Sequence, residues 1–529
     1  MSAMYWADEL AAGLTGPQVV NDSKTPSGTV HVGSLRGVVL HDAIRRAVAG
    51  TGLPVELRYG VEDLDPMDAQ SLLTPDAVER YMGVPLAHVP APEGSPYPNY
   101  ARHFAGLFLE TFDRLGIHPR LYWMSEQYAS GVMDPYIGRA LDRAAVILDI
   151  YRTVSTVNHP AGWLPISVIC ESCGRIGTTR AHDWDGREVA YECRPDLVEW
   201  ARGCGHAGRV APFGGRAKLV WNVDWAARWG ITGATIEGCG KDLATAGGSR
   251  DRADAISRQV FEREPPLNVA YEFLNVGGRK MSTSRGEGAA AHEIADLLPP
   301  TLLRFLFLRY RPNRAIDFDP SGDTIPRLFD EFDRIADAVC GRPTKGELPP
   351  DYERIFALSL ADPDADPRAV AEAYRPPFAH LALLLQVPGA DLDARLAAEK
   401  GAPLSDAELA IVRQREAAAR AWLEELAPER ARLAVHYDDV PASVAGLDEA
   451  QRRFLAALAE AAAADGPPTA GEAWQALVFA AARHVGIEPG AAFAALYSAF
   501  LDRPNGPRAG WLLASLDGAF VIDRLKEAA

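Results

Sequence analysis

Pro26-Ser27-Gly28-Thr29-Val30-His31-Val32-Gly33-Ser34 follows a short apolar run, Pro17 to Val20, and opens a long amphipathic segment that ends near Ala49. Within that segment Val32, Leu35, Val39, Ala43 and Val48 recur at helical spacing. A second extended run, Val55 to Tyr59, follows Gly52 and Pro54. Strand, Gly-rich turn, helix and strand in that order make a βαβ unit of a parallel sheet. Such a turn sets free backbone N–H groups and a helix N-terminus beside any bound anion. His31 adds a side-chain donor that meets phosphate oxygens as charge develops.

Far downstream lies Gly277-Gly278-Arg279-Lys280-Met281-Ser282-Thr283-Ser284-Arg285-Gly286. Its glycines bracket hydroxyls and three cations, a composition suited to the triphosphate of a nucleotide under attack at its α-phosphorus. Further strand-end chemistry sits in Gly60-Val61-Glu62-Asp63-Leu64-Asp65-Pro66, because open α/β sheets bind ligands at the carboxyl ends of their strands. Acidic residues there meet a cationic substrate or order the pocket; a capped turn is the plainer reading of Asp65 before Pro66. Gly238 to Gly248 is a second Gly-rich turn before a helix, where Asp242 is placed to accept from a ribose or an ammonium group.

The chain has 529 residues, enough for two to four domains, and is 48% hydrophobic and 24% charged, an ordinary globular composition. Met1 to Gly13 carries Asp8 and Glu9 and no long apolar run, and no stretch of about eighteen apolar residues occurs. A soluble cytoplasmic protein without a membrane partner is expected. The formal net charge of −17 counts against a nucleic-acid partner, though a local basic face on an acidic protein remains compatible with one.

Of six cysteines, four fall in one cluster: the CxxC knuckle Cys170-Glu171-Ser172-Cys173, then Cys193, then Cys204. In a cytosolic chain such a cluster reads as metal-binding rather than disulfide-forming. Four thiolates would hold one Zn2+ tetrahedrally and staple a small loop-rich module, with His206 as the alternative to Cys193 or Cys204 and a degenerate, metal-free knuckle as the other reading. Four protein ligands leave no open position, so a structural rather than a catalytic zinc is expected.

The first stretch resembles the His-Ile-Gly-His signature of class I aminoacyl-tRNA synthetases, and the second resembles their Lys-Met-Ser-Lys-Ser loop. Asp22 to Gly28, Trp221-Asn222-Val223-Asp224-Trp225, Gly240-Lys241-Asp242, Gly247 to Asp251 and Tyr271-Glu272-Phe273 look like the class I lysyl-tRNA synthetases in particular, and the likeness runs from Tyr5 to the last helix. The resemblance implies an α/β chain. Its Rossmann-like parallel-sheet catalytic domain carries an inserted zinc-knuckle module, and an all-α domain follows. The expected divisions are residues 1–95 (first catalytic half), 96–215 (an insertion read as helices and then the zinc module), 216–290 (second half), 291–335 (a linker module) and 336–529 (the helical, anticodon-binding part). Within these, the Phe104, Phe108, Phe112 and Leu115 series reads as core. Leu302 to Tyr310 reads as a buried helix with its basic residues escaping to the edges, and Arg413, Arg415 and Arg420 form one basic helix stretch.

The reaction implied is ATP-dependent ligation of lysine to its tRNA through a lysyl adenylate, with Mg2+ accompanying ATP. By resemblance His31 and Lys280 with Arg285 are catalytic. Pro26, Gly28, Gly33, Ser34, Gly240, Asp242, Ser282, Thr283 and Ser284 join His31 and Lys280 around ATP. Ser23, Thr25, Asp63, Asp65, Trp221, Leu243 and Tyr271 form the amino-acid pocket. The chain departs from the family at several of these. Ser34 replaces the second His of the signature, Thr283 the middle Lys of the loop, Ser23 a common Gly and Leu243 the usual His; Glu62 and Leu64 alter the acidic turn. Losing a polar group from a pocket that reads an ammonium changes specificity. The other readings are a paralogue with another amino acid or acceptor, and a non-catalytic RNA-binding relative. His31 and the Lys280 loop argue against the latter.

Overall fold

A computed structural model describes residues 4–68, 74–155, 157–277, 279–280 (backbone), 289–387, 391–464 and 466–529. It divides into two compact units, Met1–Phe318 with Glu347–Ala365, and Asp319–Gly346 with Asp366–Ala529.

The first unit is built on a parallel sheet. Strand β1 (Gln18–Lys24) pairs in parallel with β2 (Val55–Val61), and β2 with β3 (Arg120–Trp123). On the other side of β1, Val20 bridges Ile236 and Ile236 bridges Leu267, both in parallel, and Cys239–Gly240 continues alongside Ala270–Tyr271. The chain thus runs outward from β1 in one direction, then returns and runs outward in the other, the doubly wound order of a dinucleotide fold. β3 lies in the stretch read as helical, which is a correction: four residues, Arg-Leu-Tyr-Trp, are too few to display a period of two.

Helix Gly33–Gly50 makes the first crossover. Leu35, Val39 and Ala43 are buried as their spacing requires, but so are Arg36, His41 and Asp42. The helix is therefore covered all round, and each buried polar group is paired. Arg36 donates to the carbonyls of Glu272, Phe273, Pro312 and Arg314. His41 accepts from Gly238 N–H at 2.8 Å on Nε2, which leaves Nδ1 to donate to Gly37 O at 2.7 Å. Phe104, Phe108 and Phe112 pack one face of Tyr100–Arg114 under the sheet, with Phe112 edge-on to Tyr59 at 4.9 Å.

Helix Pro300–Leu308 is buried as read, but its Arg304 does not escape. The side chain is fully buried, 2.7 Å from Asp42 Oδ2, and donates to the carbonyls of Leu358 and Leu115. A buried guanidinium persists only when matched in this way. The insert carries an antiparallel sheet, Thr179–Trp184, Val189–Cys193 and Ala207–Val210, beside the pair Ile166–Val168 and Ala217–Leu219.

The second unit, as described, is helical. Phe454, Leu458, Trp474, Val478, Phe500, Leu512 and Leu525 share its core. Its expected basic stretch is neutralised internally: Arg415 pairs with Asp333, Arg413 with Asp393 and Glu416, and Arg420 with Glu416. Among the described residues no helix is long and apolar enough to cross a membrane.

Candidate active site

A cavity of about 640 Å3 opens at the carboxyl ends of β1 and of Cys239–Gly240, where the winding of the sheet reverses. That is where an open α/β sheet leaves a crevice for a ligand. Of the residues expected there, Ser23, Thr25, His31, Gly33, Ser34, Asp65, Trp221, Gly240, Asp242, Leu243 and Tyr271 line it. Pro26 and Gly28 are buried behind the turn, and Ser27 between them faces the cavity instead. Asp63 is also turned away: its carboxylate accepts from Ser125 N–H at 2.8 Å and from the Ser125 hydroxyl, at the start of Met124–Ala129. Burial raises the Asp63 carboxyl, with the Ser125 bonds opposing.

Asp65 is the acidic-turn residue that reaches the cavity. It accepts from Thr25 Oγ1 at 2.7 Å and from Lys218 Nζ at 2.8 Å. Lys218 is buried and stands 3.8 Å from Asp224, which accepts from Tyr128 OH. Burial pulls the Lys218 ammonium down, but Asp224 and Asp65 outweigh it and hold it above its ordinary range. Ser23 Oγ accepts from Arg228 at 2.8 Å, and Arg228 pairs with Glu62. Trp221 is half-buried and packs at 4.8 Å on Trp225. Trp225 and Trp229 are core, their indoles donating to Glu237 at 2.7 and 2.9 Å.

Sequence reasoning missed Asp22, Lys24, Tyr59, Asp68 and Glu272 in the lining. The available signal was the polar run Asn21-Asp22-Ser23-Lys24 closing an apolar strand. Burial raises the Asp22 carboxyl and lowers the Lys24 ammonium.

The basic loop is tied to this site at both ends. Lys280 ends Arg279–Lys280, which pairs antiparallel with Leu274–Val276, and Leu274 lines the cavity. Past the loop, Ala290 bridges His31, Val32 N–H donates to Ala289 O and Ala291 N–H to Val30 O. Ser282, Thr283, Ser284 and Arg285 lie outside the described residues.

Apart from the cavity, the Sγ atoms of Cys170, Cys173, Cys193 and Cys204 lie within 4.8 Å of one another. Cys170 is 3.7 Å from Cys204, and Cys173 is 3.6 Å from Cys193. A tetrahedral site with Zn–S of about 2.3 Å has S···S edges of about 3.8 Å, so the donors fit. His206 is not part of the group.

The family described as tRNA synthetases class I (K) matches residues 4–361. A lysine–tRNA ligase of Archaeoglobus fulgidus is 34% identical over 534 residues, covering 99% of this chain and 100% of that protein. Lysine–tRNA ligase 1 of Methanosarcina acetivorans is 33% identical over 546 residues, covering 99% and 98%. Among solved structures, a glutamate–tRNA synthetase of Elizabethkingia anophelis aligns over 97% of this chain and 99% of its own, at 12% identity and a TM-score of 0.41.

Proposed function

The chain belongs to the class I (K) tRNA synthetases, and from that premise we propose how its cavity works as a lysine–tRNA ligase. The enzyme ligates lysine to tRNA at the expense of ATP. The lysine carboxylate attacks the α-phosphorus, pyrophosphate leaves, and the lysyl group then passes from the adenylate to the terminal ribose of tRNA. Catalysis of this kind is positioning and charge stabilisation.

One observation supports the residue roles most: the His31 turn and both anchors of the Lys280 loop meet at the cavity, opposite Gly240 and Asp242. In this reading the Gly33 helix N-terminus, His31 and Ser34 face the phosphates, Lys280 and Arg285 with Ser282, Thr283 and Ser284 take up pyrophosphate charge, and Asp242 orients the ribose or an ammonium group. Mg2+ rides with ATP, held mostly by phosphates and water. Trp221, Tyr271, Leu243, Ser23, Thr25 and Asp65 surround the amino acid. The thiol cluster holds one structural Zn2+, which fixes the insert and takes no part in the chemistry. The helical unit of Asp319–Gly346 and Asp366–Ala529 takes the anticodon arm of the tRNA.

The test is ATP–pyrophosphate exchange with each amino acid, with and without total tRNA. Lysine-dependent exchange is expected. Exchange with another amino acid would move the chain to a paralogue altered at Ser23 and Leu243, and none under any condition would leave a non-catalytic relative.

A further inference from the structure

Other described cations around the cavity have their partners. Lys218 has Asp65 and Asp224, Arg228 has Ser23 and Glu62, Arg36 has four carbonyls, and Lys241 has Glu272 at 2.6 Å. Lys24 differs. It is the last residue of β1 and lines the cavity, yet its side chain makes no hydrogen bond or ion pair with any described residue. Its charged neighbours are Asp22 and Asp242, both also in the lining and both acting on it only through space. Its backbone is fixed, since Lys24 O accepts from Glu62 N–H. The ammonium is thus held at the switch point, half-buried and desolvated, without a contact ion.

We propose that Lys24 is a substrate-binding residue whose ammonium holds an anionic oxygen where the two small substrates meet, the carboxylate of the amino acid or the α-phosphate of ATP. This rests on the ligase reading above. A desolvated cation that the protein leaves unmatched weakens the ligand-free fold, and a bound anion removes that cost. Burial lowers the ammonium, and Asp22 and Asp242 oppose that through space without contacting it, so it remains open to a ligand. A residue serving only as their counter-ion would do the opposite, stabilising the empty protein.

The experiment compares wild type with Lys24→Met and Lys24→Arg in the full chain. Calorimetry measures binding of lysine against lysinol, which lacks the carboxylate, and of ATP against adenosine, which lacks the phosphates. A thermal melt follows each ligand-free protein. Lys24→Met is expected to melt higher than wild type and to bind lysinol and adenosine unchanged. It should lose roughly 30-fold or more in affinity for one anionic partner. Lysine identifies the carboxylate as the anion held, and ATP the phosphate; Lys24→Arg should recover part of the loss. Unchanged affinity for both lysine and ATP overturns the proposal, as does a lower melt with all four ligands weakened alike. Absence of lysine-dependent exchange in wild type would sink the ligase reading instead, and the ATP–adenosine arm would then decide Lys24 alone.

Discussion

Replacing Glu237 by Gln should destabilise the first unit by about 3–5 kcal/mol. Glu237 is 2% exposed, and three N–H donors converge on its carboxylate. Trp225 Nε1 donates to Oε1 at 2.7 Å; Asn21 Nδ2 and Trp229 Nε1 donate to Oε2 at 2.7 and 2.9 Å. An amide supplies one acceptor oxygen in place of two. Its least costly orientation puts the oxygen where two donors converge and turns the NH2 toward Trp225. The Trp225 indole N–H is then orphaned at about 1–3 kcal/mol, and two charge-assisted bonds become neutral at a loss of about 1 kcal/mol each. Glu237→Leu removes every acceptor, strands three buried donors and should cost more than the amide. Urea unfolding followed by tryptophan fluorescence measures both, since two of the affected donors are indoles. A shift under about 0.5 kcal/mol for the Gln variant, or a Leu variant as stable as wild type, would refute the accounting.

Three further outcomes are expected. Burial pushes the Asp42 carboxyl up, but Arg304, Arg46 and Arg45 outweigh it and hold it below the usual carboxylate range. Its contribution is therefore fully present above the unfolded value of about 4 and drains away as pH falls through the depressed folded value. The gap in urea midpoint between wild type and Asp42→Asn should be level near neutrality and close at acid pH. A Cβ on Gly37 would lie 2.6 Å from Tyr271 OH and 3.1 Å from Asp22 Oδ2. Gly37→Ala should push Tyr271 into the cavity and lower kcat/KM for exchange by roughly 10- to 100-fold. Metal analysis should find one zinc per chain in wild type and His206→Ala, and none in Cys193→Ser, whose melting point should fall.

The elements that sequence reasoning found are those whose signal is local. β1, the glycine turn and helix Gly33–Gly50 announce themselves by an apolar run, punctuation and an eighteen-residue helical repeat. The four thiols are legible for the same reason, because two come as a CxxC knuckle. What was illegible depends on partners far away in the chain. Arg304 looks like an edge residue of its helix, and only Asp42 from another helix makes its burial tolerable. Arg415 looks like part of a basic face, yet Asp333 takes it inward. Asp63 and Asp65 stand two residues apart in one acidic turn, and distant partners divide them: Ser125 takes Asp63, while Thr25 and Lys218 hold Asp65 at the cavity.

The position of the cavity follows from how the two halves of the sheet are joined. β1 and β2 share a full parallel ladder, but among the described residues β1 meets the second half at one bridge, Val20–Ile236, with Thr235 N–H also donating to Val19 O. Side chains add to the junction. Thr235 Oγ1 accepts from Val19 N–H and donates to Gln18, Asn21 donates to Glu237, and His41 accepts from Gly238 N–H. Past Asn21 the backbones part, with Asp22, Ser23 and Lys24 on one side and Gly240 and Asp242 on the other. An apolar junction of equal volume would be as stable, since buried polar groups add little net stability. Directional bonds add register: each donor has one acceptor at one distance. The width of the crevice is thereby set by Glu237, Thr235 and His41, none of which lines it, so substitutions at these three should alter substrate affinity as well as stability.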